Sequence, residues 1–142
     1  MILMTKSILL VDDDDSILVI FENFLSNNGY NVATSNTASK ALDLVKEKKF
    51  DVAVLDFILP DIRGDKLALD IKKIQKDIEI IFVTGFSQFE TCIKALKIGI
   101  SEILLKPVTA DELVSAVNRT INNGYREDVI SSVDEIVELE ES

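Results

Sequence analysis

Five polar residues of the kinds that handle phosphate and metal ions each follow a short hydrophobic run in this sequence. They are three aspartates, a threonine and a lysine: Asp12, Asp13, Asp56, Thr84 and Lys106. Carboxylate oxygens bind hard cations such as Mg²⁺, and hydroxyl and ammonium groups donate hydrogen bonds to phosphoryl oxygens. If the runs are strands of one parallel sheet, their ends lie at the same edge and bring these side chains together. The pattern predicts a site for a phosphoryl group and a divalent cation.

The hydrophobic runs have the length and composition of buried strands. They lie at residues 8–11, 30–33, 52–55, 78–83 and 103–105. The segments between and after them repeat their apolar residues with helical spacing, as in residues 17–24. This alternation predicts an α/β domain in which a helix follows each of five parallel strands.

Glycine and proline positions agree with these elements. The helices predicted after the first, fourth and fifth strands should end at Gly29, Gly99 and Gly124. The remaining glycines, Gly64 and Gly85, are expected in loops, as are both prolines. No predicted element is therefore interrupted.

The composition restricts the classes of function. A chain of 142 residues with 47% hydrophobic residues suits one compact domain. Its net charge of -10 argues against direct contact with nucleic acid or an anionic membrane surface, and no apolar stretch is long enough to span a bilayer. The chain has no histidine, which excludes histidine ligands and histidine catalysis within it. With a single cysteine, Cys92, we expect a cytoplasmic protein without an internal disulfide.

The aspartates after the first strand fall into two pairs. Asp14 and Asp15 are interpreted as caps, because carboxylates at a helix N-terminus accept its free N–H groups. Asp12 and Asp13 come directly off the strand, and crowding them beside Asp56 would be repulsive without a cation. A hard dication with oxygen ligands, most simply Mg²⁺, would remove that repulsion.

A carboxylate beside such a cation can attack phosphorus and form an acyl phosphate. Asp56 stands at the tip of the third strand, and Thr84 and Lys106 would supply donors for the phosphoryl oxygens. Each of these residues alone has an ordinary structural explanation. Their occurrence at four strand ends favours a functional one.

On these residues the chain resembles the receiver domain of two-component response regulators over about residues 5–123. The Asp12–Asp13 pair is similar to the acidic pair of that family, and residues 55–60 (Leu-Asp-Phe-Ile-Leu-Pro), followed by Gly64, are similar to its phosphoacceptor motif. Thr84 and the pair Lys106–Pro107 occupy the places of the family's hydroxyl residue and its Lys-Pro. We take residues 1–123 as the predicted domain.

The resemblance implies a fold and a set of roles. The fold would be flavodoxin-like, a doubly wound five-stranded parallel sheet of strand order 2-1-3-4-5. Asp56 would be the phosphoacceptor, assisted by Thr84 and Lys106, and the Lys106–Pro107 peptide bond would be cis. The metal ligands would be Asp13, Asp56 and the backbone carbonyl of Ile58, with Asp12 acting partly through water.

The sequence departs from the family's pattern at the position three residues before Lys106. The family usually has an aromatic residue there, and this chain has Ile103. The aromatic switch is therefore missing. Ile58 and Phe86 flank the predicted site, and we interpret them as apolar groups that hinder attack by water on a phosphoryl group.

The resemblance also implies partners. A sensor histidine kinase or a phosphotransfer protein would donate the phosphoryl group, and a downstream protein effector or a fused output domain would respond, with a homodimer as a further option. The protein would be a switch rather than an enzyme, apart from catalysing its own phosphorylation and dephosphorylation. No basic DNA-binding segment follows residue 123.

Two other interpretations stay open at this point. Asp12, Asp14 and Ser16 loosely resemble the Asp-x-Asp-x-Thr motif of haloacid-dehalogenase-like phosphatases, although Asp56 would then have no role. The second alternative is a pseudo-receiver, a protein-binding module that keeps the fold and never accepts phosphate.

Residues 124–142 form a separate acidic tail. From Tyr125 onward it holds seven acidic residues against only Arg126. Its apolar residues have helical spacing, so the tail is either a solvated linker or an amphipathic connector helix.

Overall fold

The computed structural model describes residues 5–123, apart from residue 89, residue 92 and residues 94–98. In that part of the chain five strands alternate with four helices of ten or more residues. The strands are β1 (Ser7–Val11), β2 (Asn31–Ser35), β3 (Val52–Asp56), β4 (Glu79–Thr84) and β5 (Glu102–Leu105). The helices are α1 (Asp15–Asn27), α2 (Ala38–Glu47), α3 (Gly64–Ile74) and α4 (Ala110–Asn123), and a short 3-10 turn spans Phe86–Gln88. Each hydrophobic run identified in the sequence forms a strand.

The five strands form one parallel sheet in the order β2-β1-β3-β4-β5. β1 and β3 lie in the middle of the sheet and are almost entirely buried. Continuous apolar runs are typical of parallel strands whose two faces are both covered. The predicted fold class and strand order are confirmed.

Successive residues of each strand alternate between the two faces of the sheet, so each strand contributes to two cores. In β3, Ala53 and Leu55 face the core that α2 and α3 cover, whereas Val52 and Val54 face the core under α1 and α4. The apolar stripe of each helix supplies its half of the core, such as Leu18, Phe21 and Leu25 on α1. Helices therefore cover both faces of the sheet, as the doubly wound fold requires.

The helix ends follow the local signals. Asp14 is the N-cap of α1, and its carboxylate accepts the N–H groups of Ser16 and Ile17 at 2.9 and 3.3 Å. After α1 the chain turns at Gly29, which has φ of +90°, a conformation that costs glycine little. The capping predicted for Asp14 and the stop predicted at Gly29 are confirmed.

Three predicted positions differ from the structure. Gly64 is the first residue of α3 and not a loop residue, because the helix begins directly after its N-cap residue, Arg63. Asp56 and Thr84 are the last residues of their strands and do not lie just past them, because each still pairs with a residue of the next strand.

Some predictions fall on other parts of the chain. The helix predicted around residues 89–96 lies mostly outside the described residues. Within that range, the described residues Glu90, Thr91 and Ile93 are helical. The acidic tail from Gly124 onward, including the stop predicted at Gly124, also lies outside them. Among the described residues, no helix combines the length and the apolar character needed to cross a membrane.

Candidate functional site

Four neighbouring strands deliver the polar residues to one edge of the sheet. Asp12 directly follows β1, Asp56 ends β3, Thr84 ends β4 and Lys106 directly follows β5. Because these strands are adjacent and parallel, their carboxyl ends lie side by side. Lys106 continues the ladder beyond β5, since its N–H donates to the carbonyl of Thr84 at 2.8 Å. The structure thus brings the sequence-predicted residues to one place.

Three carboxylates form a cluster at this edge. One oxygen each from Asp12, Asp13 and Asp56 lies within 4.8 Å of the others. Asp56 is 4% exposed and Asp12 is 8% exposed, whereas Asp13 is open to solvent. The cluster therefore has two buried acids and one exposed acid at its mouth.

The electrostatics of Asp12 reflect this crowding. Burial raises the pKa of Asp12 from 3.8 to about 6, the Asp14 N–H partly opposes that rise, and the negative charge of Asp56 adds to it. The N–H of Asp14 donates to Asp12 at 2.9 Å, which fixes the direction of the carboxylate. A negative charge on Asp12 is therefore unfavourable unless a cation is present.

Asp56 is held by two hydrogen bonds. Lys106 Nζ donates to its Oδ2 at 2.9 Å, and the backbone N–H of Ile58 donates to its Oδ1 at 3.2 Å. Burial opposes the charge on Lys106, but the hydrogen bond to Asp56 and the nearby carboxylates outweigh it, so the pKa of Lys106 is raised. Lys106 is therefore an ammonium ion directed at the buried carboxylate.

Thr84 contributes a buried hydroxyl without a strong partner. Its side chain is 1% exposed, and its Oγ1 donates to the carbonyl of Gly85 at 3.3 Å. That distance is long for a hydroxyl hydrogen bond. The hydroxyl can therefore turn toward a better acceptor at little cost.

Gly64 holds the loop between β3 and α3 close to the end of β3. Its N–H donates to the carbonyl of Phe57 at 2.7 Å. A Cβ at this position would lie 2.7 Å from the carbonyl oxygen of Asp56 and 2.8 Å from the Cα of Phe57. Only glycine fits there, a requirement that follows from a tertiary contact and has no local sequence signal.

Asp61 at the tip of the same loop contacts a different helix, which sequence reasoning missed. Its two carboxylate oxygens accept the backbone N–H groups of Ala38 and Ser39, at 3.0 and 2.9 Å. The hydrogen bond from Ala38 and that from Ser39 hold the pKa of Asp61 below its usual range. Asp61 therefore caps α2 from 23 residues away.

The remaining predicted positions lie as follows. The peptide bond between Lys106 and Pro107 is cis, as the resemblance implied. Ile103 is partly buried against the core on the α2 and α3 side, opposite Phe82 of β4. Ile58 is 49% exposed beside the site, and Phe86 begins the 3-10 turn after β4.

The donor set fits Mg²⁺. Hard divalent cations take oxygen ligands, and this edge of the sheet offers carboxylate oxygens from three residues within 4.8 Å. Burial first, and then the charges of Asp56 and Asp13, raise the pKa of Asp12, so a bound cation would favour its ionised form. Asp12, Asp13 and Asp56 are the residues that could hold the ion.

This geometry can be compared with known proteins. The sequence profile of the response regulator receiver domain matches residues 8–118. The chain belongs to this family. Receiver domains are the signalling modules of two-component systems and interact with histidine kinases and output domains.

Individual relatives agree with this assignment. The transcriptional regulatory protein ZraR of Escherichia coli K12 is 34% identical over 114 residues, which cover 80% of this chain and 26% of ZraR. The chain thus spans about a quarter of the length of that relative.

Two solved structures have the same fold. A CheY-like receiver domain protein from Methanospirillum hungatei has a TM-score of 0.81 and 30% identity, covering 87% of this chain and 99% of that one. A response regulator protein from Burkholderia pseudomallei, with a phosphorylated aspartic acid, calcium ion and citrate, has a TM-score of 0.73 and 25% identity, covering 89% of this chain and 74% of that one.

Proposed function

We propose that this receiver domain takes a phosphoryl group from a partner phosphohistidine onto Asp56 and thereby changes its contacts with other proteins. The observation that carries the proposal is the environment of Asp56. Its carboxylate is 4% exposed, lies 2.9 Å from Lys106 Nζ and shares its site with Asp12 and Asp13. The phosphorylated aspartic acid of the Burkholderia relative is consistent with the same chemistry.

In the transfer, an oxygen of Asp56 attacks the phosphorus atom. An O–P bond forms as the P–N bond to the partner's histidine breaks, and the imidazole nitrogen keeps the electron pair and takes a proton from solvent. Lys106 then moves its hydrogen bond from the Asp56 carboxylate to a phosphoryl oxygen, and Thr84 turns its hydroxyl toward another. The product is an aspartyl phosphate.

Mg²⁺ would be held by Asp13, Asp56 and the backbone carbonyl of Ile58, with Asp12 acting partly through water. When bound, it offsets the charge of the carboxylates and of the incoming phosphoryl group. The backbone of Ile58 has a second role, because its N–H donates to Asp56 at 3.2 Å and thereby orients the carboxylate that attacks.

The phosphohistidine partner needs a surface beside the site. A cleft next to the acidic cluster is lined by Ile17 of α1 and by Pro107 and Val108 after β5. Further along α1, Ile20 and Phe24 are 47% and 43% exposed. We propose that the partner packs on this apolar side of α1, because it continues directly from the residues around Asp56.

The test uses the purified chain, Mg²⁺ and a small acyl-phosphate donor, with intact mass as the readout. The wild type should gain one phosphoryl group, the gain should require Mg²⁺, and Asp56→Asn should gain none. Asp56→Asn is a matched variant because the amide keeps the shape of the side chain.

Other outcomes would support the alternatives. A wild type that never gains a phosphoryl group would favour the pseudo-receiver. An adduct that survives in Asp56→Asn and disappears in Asp12→Asn would favour the phosphatase. Neither alternative uses the contact between Asp56 and Lys106, which is why we favour the receiver mechanism.

A further inference from the structure

The loop between β3 and α3 is fixed at its base and at its tip. At the base, Gly64 N–H donates to the Phe57 carbonyl at 2.7 Å, and Ile58 and Arg63 form an isolated antiparallel bridge. At the tip, Asp61 bonds the first two N–H groups of α2. The base contacts lie within the loop itself, whereas the tip contact ties the loop to another helix.

This loop carries the backbone atoms that face the site. The N–H of Ile58 donates to Asp56, and the carbonyl of Ile58 is a proposed metal ligand. A carbonyl binds an ion more tightly when its direction is fixed before the ion arrives, because ordering a loose loop costs entropy on binding. The contact of Asp61 with α2 restricts the same short loop three residues beyond Ile58.

The helix does not depend on Asp61 alone for its start. Thr37 is the N-cap of α2, and its Oγ1 accepts the N–H of Lys40 at 3.2 Å. Asp61 takes the N–H groups of Ala38 and Ser39, which Thr37 does not use. The two caps act on the same helix end, and only one of them also holds the loop.

We propose that Asp61 is a positioning residue for the metal site, which it serves by fixing the β3–α3 loop against the N-terminus of α2. This inference rests on the proposed function. Asp61 touches neither the ion nor the phosphoryl group and acts through the backbone of the loop. Through the same contact, Mg²⁺ bound at the site would stabilise the start of α2.

The coupling between the Asp61 contact and the metal site is reciprocal. If the contact between Asp61 and α2 strengthens Mg²⁺ binding by some factor, Mg²⁺ must strengthen that contact by the same factor. Ala38 and Ser39 are the amides that report the contact, and Lys40, capped by Thr37, is an internal reference on the same helix end.

The experiment measures the Mg²⁺ dissociation constant of the full chain by calorimetry for the wild type and three variants. Asp61→Ala removes the contact between loop and helix. Thr37→Ala removes a cap from the same helix end and leaves the loop untouched. Asp15→Ala removes an exposed negative charge at the same edge of the sheet, which controls for simple electrostatics.

We expect Asp61→Ala to raise the dissociation constant about tenfold, the size typical of residues that orient metal ligands from behind. Thr37→Ala and Asp15→Ala should stay within about twofold. In the wild type, Mg²⁺ should slow hydrogen exchange at Ala38 and Ser39 by about the same factor as the affinity loss in Asp61→Ala, and Lys40 should change less.

The outcomes separate this inference from the proposed function. Suppose that the wild type binds Mg²⁺ and takes a phosphoryl group. The role of Asp61 alone would then be overturned if Asp61→Ala bound Mg²⁺ as tightly as the wild type, or if all three variants weakened Mg²⁺ binding equally. A wild type that binds no Mg²⁺ would refute the proposed function, and this inference with it. If Asp61→Ala does not fold, unchanged exchange at Ala38 and Ser39 in the wild type with Mg²⁺ would still overturn the inference.

Discussion

Replacing Asp12 with asparagine should stabilise the metal-free protein at neutral pH. Asp12 is 8% exposed and shares the site with Asp56 and Asp13, so its ionised form is unfavourable in the folded state. Asparagine has nearly the same shape and can still accept the N–H of Asp14, which donates to Asp12 at 2.9 Å. The substitution therefore removes the charge and little else.

The size of the effect follows from the pKa of Asp12. A pKa of about 6 in the fold instead of 3.8 corresponds to about 3 kcal/mol of lost stability when the group ionises. The neutral amide accepts the Asp14 N–H less strongly than a carboxylate does, which offsets part of the gain. We expect Asp12→Asn to raise the free energy of unfolding by about 1 to 2 kcal/mol at about pH 7.5.

The pH dependence gives the sign of the effect. Because the pKa of Asp12 is raised in the fold, the folded state binds more protons than the unfolded chain between pH 3.8 and about 6. The contribution of Asp12 to stability is therefore present below that range and is lost as the pH rises through it. The advantage of Asp12→Asn should be near zero at about pH 4 and should grow toward neutral pH.

The assay is urea unfolding with a chelator present, at several pH values, for the wild type, Asp12→Asn and Asp43→Asn. Asp43 is exposed on α2, so its substitution should change stability by less than about 0.5 kcal/mol. Under the proposed function, adding Mg²⁺ should reduce the advantage of Asp12→Asn, because the ion would stabilise the folded wild type. A gain of equal size at about pH 4 and about pH 7.5 would refute the electrostatic reasoning and point to packing instead.

Three further predictions concern packing, hydrogen bonds and access of water. Gly64→Ala should destabilise the protein by about 2 kcal/mol, because the added Cβ would lie 2.7 Å from a backbone oxygen of β3. The control is Gly85→Ala, whose added Cβ would have no atom within 4 Å and should change the urea midpoint little. Gln75→Ala should cost about 2 kcal/mol, because its amide makes three hydrogen bonds of 2.7 to 3.0 Å to the last turn of α2 and the segment that follows it. The control is Lys76→Ala at the exposed neighbouring residue, and equal urea midpoints for the two variants would contradict this prediction. Ile58→Asn should shorten the lifetime of the aspartyl phosphate, because a polar side chain admits water where a half-exposed isoleucine stands. The lifetime is followed by intact mass after the donor is removed, with Ile58→Val as the control. A lifetime in Ile58→Asn no shorter than that of the wild type would argue against shielding.

Most of the fold follows from the sequence because the strands are buried on both faces. A run such as residues 52–55 has no polar face, which is typical of a central parallel strand, and the structure places it between β1 and β4. The strand ends were predicted one residue short at Asp56 and Thr84, since a polar residue looks like the start of a loop. Pairing with Val83 and Leu105 keeps both residues in the sheet.

The contacts that the sequence did not predict join residues far apart in the chain. Asp61 reads as an ordinary turn residue after Pro60, and nothing local indicates that it caps α2. Gly64 looks like a loop glycine until the carbonyl of Asp56 is found 2.7 Å from where its Cβ would be. Gln75 bonds backbone groups 25 to 30 residues away. Such contacts depend on how elements pack, which periodicity and capping rules do not describe.

The isoleucine at position 103 affects the route by which a phosphorylation signal can leave the site. Ile103 is partly buried against the core and has no polar atom, so a change of its rotamer cannot exchange a buried for a solvated hydrogen bond. The β3–α3 loop, in contrast, joins the site to α2 by the two hydrogen bonds of Asp61. We therefore expect phosphorylation to slow hydrogen exchange more at Ala38 and Ser39 than at Leu104 in β5. A larger change at Leu104, with none at the start of α2, would mean that the signal leaves through β5 despite the missing aromatic residue.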